Sequence, residues 1–224
     1  VPLGGVVPSG TRLAPGAEIL SLAGDAAGLH AVWKTAQTLM EYLSGIATCA
    51  ADIVDAARRA NPSAAVVCTR KNFPGTKAAA MKAVLCAGAS PHRLSLSETL
   101  LVFAEHRAFL PGLGAAETLQ RLRRQWPERA VVVEVGDLDE AHHWLAAGVD
   151  IVQLEKLPPE AVTALAEQLA ESGWPGRIAA AGGIRPDNAE AYARAGAGIL
   201  VSSAPYFAPP RDVAVTLLPD LIRS

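Results

Sequence analysis

Arg70 and Lys71 are adjacent cations placed where a strand should end. The apolar run over 65–67 reads as a buried parallel strand, and it stops at Thr69, Arg70 and Lys71 before the turn-forming Pro74-Gly75. Paired cations at such a point suit an anion. His92-Arg93, in a loop beside Pro91, would enlarge the same basic cluster, although a loop histidine alone is an ordinary surface residue. Glu134 and Glu155 each sit near the end of an apolar run. A carboxylate facing a packed core is costly. At a barrel mouth the two could hold a divalent metal or sugar hydroxyls through oxygen, or they could pair with neighbouring cations such as Lys156. Gly182-Gly183 and Ser202-Ser203 suit a phosphate: glycine lets backbone N–H groups approach closely, serine adds hydroxyl donors, and a helix follows the first turn near Asp187-Asn188.

These residues need a scaffold that collects strand ends. Further apolar runs cover 100–103, leading into Ala104-Glu105-His106, then 130–135, 150–155, 177–183 and 198–204, with helical patterns between them. This alternation predicts α/β architecture with an open parallel barrel, and ligands then bind at the C-terminal ends of the strands. Upstream, turn signals up to residue 23 predict two or three strands of a small sheet. Apolar residues spaced three and four apart predict a helix over 26–60, with Ser44-Gly45 marking a kink or close packing and Asn61-Pro62 its end. Lys34 lies on this helix, where a solvated surface lysine is the simplest reading.

With 224 residues, half of them apolar and few aromatic, the chain has the size of one barrel or of a barrel with a small extra domain. A formal charge of -2 gives no global attraction to nucleic acid or membrane, so any anion site is local. Cys49, Cys68 and Cys86 are widely spaced, without zinc-site or disulfide patterning. No apolar run approaches membrane-spanning length and no leader pattern opens the chain, so the expected address is the cytoplasm. The start at Val1-Pro2, without a methionine, points to residues preceding it.

Taken together, SGIAT at 44–48, TRK-x-x-PG at 69–75, HR at 92–93, EV at 134–135 and GGI at 182–184 resemble the type II phosphoribosyltransferases of the quinolinate phosphoribosyltransferase (nicotinate-nucleotide pyrophosphorylase) family. The fuller wording EYLSGIAT, TRKNFPGTK, PHRLSLSETLLVFAEHRAFL and SSAPYFAPP is most like its ModD branch, pyrophosphorylases associated with molybdenum transport. The resemblance implies an open barrel over 46–211, preceded by a small α/β sandwich domain of which 1–45 would be a part, completed by 212–224. It also implies a homodimer, magnesium, phosphoribosyl pyrophosphate and an anionic heteroaromatic acceptor. Arg70, Lys71, His92 and Arg93 would line the acid pocket, and Lys34 would reach in from the partner subunit. Lys71, Glu134 and Glu155 would form the catalytic set, with both glutamates serving metal and ribose and Glu155 standing for the family's usual aspartate. Ala181, Gly182, Gly183, Ser202 and Ser203 would hold the 5-phosphate.

Some positions depart from the pattern. Where quinolinate enzymes carry a lysine the chain has Phe103, and Ala104-Glu105 replaces an acid-amide pair. A substrate carboxylate deprived of that cation in a dry pocket forfeits about 2–5 kcal/mol, so the expected acceptor is an acid other than quinolinate. Ala179 and Ala181 likewise replace polar residues of the phosphate strand. The expected activity is phosphoribosyl transfer to a ring nitrogen with release of pyrophosphate. A protein that binds an oxyanion such as molybdate without turnover is the alternative, and a Schiff-base lyase using Lys71 or Lys156 is a third.

Overall fold

The computed structural model of the chain describes residues 3–93, 98–174 and 176–219. Two short antiparallel strands, β1 (Leu3–Val6) and β2 (Leu20–Leu22), come first. Helix α1 (Ala26–Ala60) follows; Asp25 caps it by accepting from Gly28 N at 2.8 Å, and Asn61 before Pro62 ends it. Its 35 residues make a rod of about 52 Å. The helix runs unbroken through Ser44-Gly45, so that pair marks close packing: a Cβ on Gly45 would strike the carbonyl of Pro209. All the buried residues of α1 lie from Gly45 onward, while its first half exposes Val32, Leu39 and Tyr42.

Beyond α1 the chain alternates as β3 (Ala65–Cys68), α2 (Lys77–Cys86), β4 (Ser90–Pro91), β5 (Leu100–Val102), α3 (Ala104–Ala108), α4 (Ala115–Gln125), β6 (Val131–Val135), α5 (Leu138–Ala146), β7 (Ile151–Glu155), α6 (Pro159–Ser172), β8 (Arg177–Ala181), α7 (Ala189–Arg194) and β9 (Ile199–Ser202), followed by a 3-10 turn over Ala204–Phe207. Strand β4 has no counterpart in the sequence-based expectation. Two residues, one of them proline, carry no apolar run, and proline is tolerated because β4 is an edge strand.

Strands β3 to β9 form one parallel sheet in the order β4-β3-β9-β8-β7-β6-β5. Its edges are β4 and β5, and no ladder joins them among the described residues, so the curled sheet is an open, TIM-like barrel. Alternation along each strand sorts the side chains. Val66, Val133, Val152, Leu154, Ile178 and Leu200 face outward and pack with Ile53, Leu119 and Leu165 under the helices. Each such side chain, fully buried, contributes about 1.5–3 kcal/mol. Val67, Ile151, Ala179, Ala181, Ile199 and Val201 form the smaller inner cluster.

After the barrel the chain returns to the exposed half of α1. Arg211 N donates to Glu41 O at 3.0 Å, Val213 N donates to Glu41 Oε1 at 3.3 Å, and Gln37 Nε2 donates to Val213 O at 2.5 Å. The segment expected to complete the N-terminal region thus begins against α1; its end, 220–224, lies outside the described residues. Among the described residues no helix is long and apolar enough to cross a membrane.

Candidate active site

Because every strand of the barrel points the same way, one rim receives all the C-terminal ends. Thr69 N donates to Ser202 O at 2.9 Å, His92 N to Cys68 O at 2.7 Å and Lys156 N to Ala181 O at 2.8 Å, so the ladders carry on just past the strands. Reading across the sheet order, the rim carries His92-Arg93 and Arg70-Lys71, then Ser202-Ser203 and Gly182-Gly183, then Glu155 and Glu134, and last Phe103 and Glu105. Cations occupy one flank, carboxylates the other, and the small polar turns lie between.

The acidic flank is built inside the strands. Glu134 and Gln153 are direct cross-strand partners, and Gln153 Nε2 donates to Glu134 Oε2 at 2.6 Å. Two residues on, Glu155 shares the inward face of β7. Burial raises the pKa of Glu134, the charges of Glu155 and Glu105 raise it further, and the Gln153 hydrogen bond and the Lys71 charge pull it back. The charge of Lys71 therefore reaches across the mouth to Glu134. Behind this flank Arg107 of α3 donates to the Glu134 carbonyl at 3.3 Å and pairs with Glu140, fixing the end of β6.

The basic flank is built in loops after the strands. Arg93 is buried, with 9% of its surface exposed, and its Nε has no hydrogen-bond partner among the described residues. Burial and the neighbouring Arg70 lower its pKa, with Glu98 working the other way. His92 is pushed down to about 4 by burial, then by Arg93 and Arg70, so it is neutral at neutral pH. Crowded positive charge of this kind is stabilised by an incoming anion.

The turn after β8 joins the flanks. Gly182 and Gly183 have φ of 82° and 85°, which glycine adopts without strain. A Cβ on Gly182 would lie 2.5 Å from Lys156 Cγ and 2.7 Å from Glu155 Oε1, whereas one on Gly183 would meet nothing within 4 Å. Asn188 Nδ2 holds the Gly183 carbonyl at 2.9 Å, leaving that turn open toward the mouth. Lys156, with φ of 58°, is the one non-glycine residue with positive φ among those described, and its largely exposed ammonium stands 3.9 Å from Glu155. So loose a pair does not neutralise Glu155.

One expected donor is placed differently from the sequence-based picture. The Ser202 hydroxyl is buried, donates to Ile184 O at 2.7 Å and accepts from Ala204 N at 3.1 Å. It shapes the turn, and its proton is not directed at a ligand; Ser203, only partly buried, follows at the surface of the turn. Lys34 lies on the exposed half of α1, where it donates to Gln37 Oε1 at 3.0 Å and sits 5.0 Å over the Trp33 ring. Within one chain it is not part of the rim.

Phe103 follows β5 with its ring 5.5 Å from that of His106, and its N–H donates to His106 Nδ1 at 3.0 Å. Glu105 beside it is exposed. Gln153 was missed by sequence reasoning. The available signal was a polar residue two positions before Glu155, hence on the same face of β7. Two surface concavities of about 250 and 410 Å³ involve Trp174, Arg177 and Gly198, and Arg129, Ala130 and Asp150. Both lie by the N-terminal ends of the strands, away from these charges.

Among the described residues no group of three or more His, Cys, Asp or Glu side chains could cage a metal. A magnesium ion does not need one: it keeps several waters and takes one or two carboxylates plus substrate phosphates. Glu134 and Glu155, hard oxygen donors whose charges feel each other, fit that requirement. The three cysteines are free, and burial pushes Cys68 up to about 12, which leaves it a packing residue and not a nucleophile.

Comparison with known proteins places this rim in a family. The model for "Quinolinate phosphoribosyl transferase, C-terminal domain" matches residues 46–216. A Rhodobacter capsulatus protein named "Putative pyrophosphorylase ModD" is 47% identical over 188 residues, 84% of this chain and 72% of its own length. A Methanothermobacter thermautotrophicus protein named "Probable nicotinate-nucleotide pyrophosphorylase [carboxylating]" is 32% identical over 85% of this chain and 69% of its own. Among solved structures, the nicotinate-nucleotide pyrophosphorylase of Francisella tularensis superposes with a TM-score of 0.83 at 23% identity, covering 94% of this chain and 73% of that one, a likeness of fold. The chain belongs to the quinolinate phosphoribosyl transferase family, and its open barrel is the domain that the family model describes.

Proposed function

We propose that this phosphoribosyltransferase moves the phosphoribosyl group of phosphoribosyl pyrophosphate onto a ring nitrogen of a small anionic heteroaromatic acid other than quinolinate. The observation that carries this reading is the opposition of charge on one rim, with Arg70 and Lys71 following β3 and Glu134 and Glu155 near the C-terminal ends of β6 and β7. The ring-nitrogen lone pair forms the new bond to the anomeric carbon, the bond from that carbon to pyrophosphate oxygen breaks, and pyrophosphate leaves with the electron pair. Arg70, Lys71, His92 and Arg93 hold the acid so that its nitrogen faces the ribose. Glu134 and Glu155 face the carbon as positive charge develops on it and bind the ribose hydroxyls. Gly182, Gly183, Ala181 and Ser203 receive the 5-phosphate through backbone N–H groups and one hydroxyl, with Ser202 setting the turn. Glu134 and Glu155 would also hold magnesium, which when bound supplies charge to offset the departing pyrophosphate.

The working form in this reading is a homodimer. Val32, Leu39 and Tyr42 form an exposed apolar line on the free half of α1, and Phe73, Phe109 and Phe207 stand exposed on loops around the mouth. A second copy would cover both and bring Lys34 to the opposite rim. The setting in this reading is molybdenum handling in the cytoplasm. The test is to incubate the protein with phosphoribosyl pyrophosphate, magnesium and a panel of pyridine and related acids, and to measure pyrophosphate. Release with at least one acid is expected; silence across a broad panel from an intact dimer contradicts the reading.

A further inference from the structure

We infer that Gln153 is a specificity-determining residue whose Oε1 accepts a hydrogen bond from a hydroxyl or N–H group of the bound substrate. The inference rests on the phosphoribosyltransferase reading above and adds to it a contact deep in the mouth.

Gln153 sits on β7 between Glu134 of β6 and Ala179 of β8, its partners in register. It is 3% exposed, and its orientation is set because Nε2 donates to Glu134 Oε2 at 2.6 Å. Oε1 is then left buried with no partner among the described residues. A buried amide oxygen without a donor is uncommon in folded proteins and calls for an explanation. The strand neighbours cannot supply a donor: Ala179 lies in the same layer, Ala181 one layer nearer the mouth beside Glu155, and Ile151, Ile199 and Val201 complete the inner cluster. The two alanines also keep that side of the mouth free of bulk.

The chemistry of the missing partner follows from the charges. The charges of Glu155 and Glu105 add to that of Glu134 in this part of the mouth, so the group facing Gln153 is a hydrogen-bond donor and not a carboxylate. Two ligands could bring it: phosphoribosyl pyrophosphate through a ribose hydroxyl, or the acceptor acid through a ring hydroxyl or N–H. The experiment separates them. Wild type and Gln153→Met are titrated with magnesium and phosphoribosyl pyrophosphate or its 2-deoxy and 3-deoxy analogues, and turnover is compared for nicotinate and 6-hydroxynicotinate.

If the ribose supplies the donor, Gln153→Met loses about 10- to 100-fold in affinity for the parent compound, and for one deoxy analogue it loses nothing further. If the acceptor supplies it, any loss for phosphoribosyl pyrophosphate, through the released Glu134, is the same for both deoxy analogues while the preference between the two acids collapses. Gln153→Met also removes the donor to Glu134, so a loss that is the same for the parent and both deoxy analogues, with acid preference unchanged, marks a structural role alone and overturns the inference. A folded Gln153→Met that leaves both affinity and acid preference within about twofold of wild type overturns the inference while the enzyme reading stands. Wild type that binds neither phosphoribosyl pyrophosphate nor any analogue overturns both.

Discussion

The two flanks of the mouth have opposite charge and opposite construction. Glu134, Gln153 and Glu155 are strand residues locked in a hydrogen-bonded ladder, with Arg107 anchoring the end of β6. Arg70, Lys71, His92 and Arg93 follow the ends of β3 and of the edge strand β4. The carboxylates stand where geometry is most rigid, which suits groups that face the reacting carbon. The cations stand where loops can change, which suits recognition of the proposed acid. The two flanks also differ in how far they are satisfied: Glu134 has Gln153 as a partner, whereas Arg93 keeps a buried Nε free among the described residues and crowds Arg70. A crowded, partly unsatisfied buried cation costs the fold stability, and an anion bound beside it would offset that cost.

The largest effect should come from the rigid flank. Glu134→Gln keeps the shape but removes the charge opposite the reacting carbon, and steady-state kinetics should show kcat lower by about 100- to 1000-fold, with acid binding little changed. Arg93→Met acts on the other flank. Calorimetry should show acid affinity reduced by about 2–5 kcal/mol with phosphoribosyl pyrophosphate binding intact, and thermal unfolding should show equal or greater stability, because a crowded buried cation is gone. Lower stability together with unchanged affinity would break the contrast between the flanks.

The glycine pair sharpens it. Gly182→Ala should push Glu155 aside and depress kcat, whereas Gly183→Ala, whose Cβ meets no protein atom, should leave Glu155 in place and raise the KM for phosphoribosyl pyrophosphate. Each should also lose about 1–3 kcal/mol of unfolding free energy to backbone strain. Phe103→Lys restores a cation beside the acid pocket and should shift acceptor preference toward dicarboxylic acids by about tenfold, read as a ratio of kcat/KM.

The smallest effect is in pH. The folded pKa of His92, about 4, lies below its ordinary 6.5. The unfolded chain therefore takes up the proton first, and between those values stability falls as pH falls. His92→Asn should flatten unfolding free energy measured across that window. For Glu134 the shift in the free protein is upward, so the acid limb of kcat/KM should lie at higher pH than an ordinary carboxylate would give, because protonation removes its charge.

Much of the scaffold was legible because apolar β-branched runs ending in polar residues mark parallel strands, and because strand-helix alternation dictates a common rim. The 35-residue helix was legible from its spacing. What escaped depended on neighbours distant in sequence. Strand β4 exists only by pairing with β3. Ser202 looked like a phosphate donor until Ile184 and Ala204 were found to occupy its hydroxyl. Gln153 gains its meaning from Glu134, 19 positions earlier, and Ser44-Gly45 resolves to close packing only because Pro209 arrives from the far end of the barrel.

The most direct test is a crystal structure of the protein with magnesium, phosphoribosyl pyrophosphate and an inert acid analogue. The 5-phosphate should lie on the Gly182-Gly183 turn beside Ser203, the ribose over Glu134 and Glu155, and the carboxylate against Arg70 and Arg93. Phosphoribosyl pyrophosphate bound at the N-terminal ends of the strands, near Arg177, or the acid lying outside the basic flank, would contradict a single mouth with two opposed flanks.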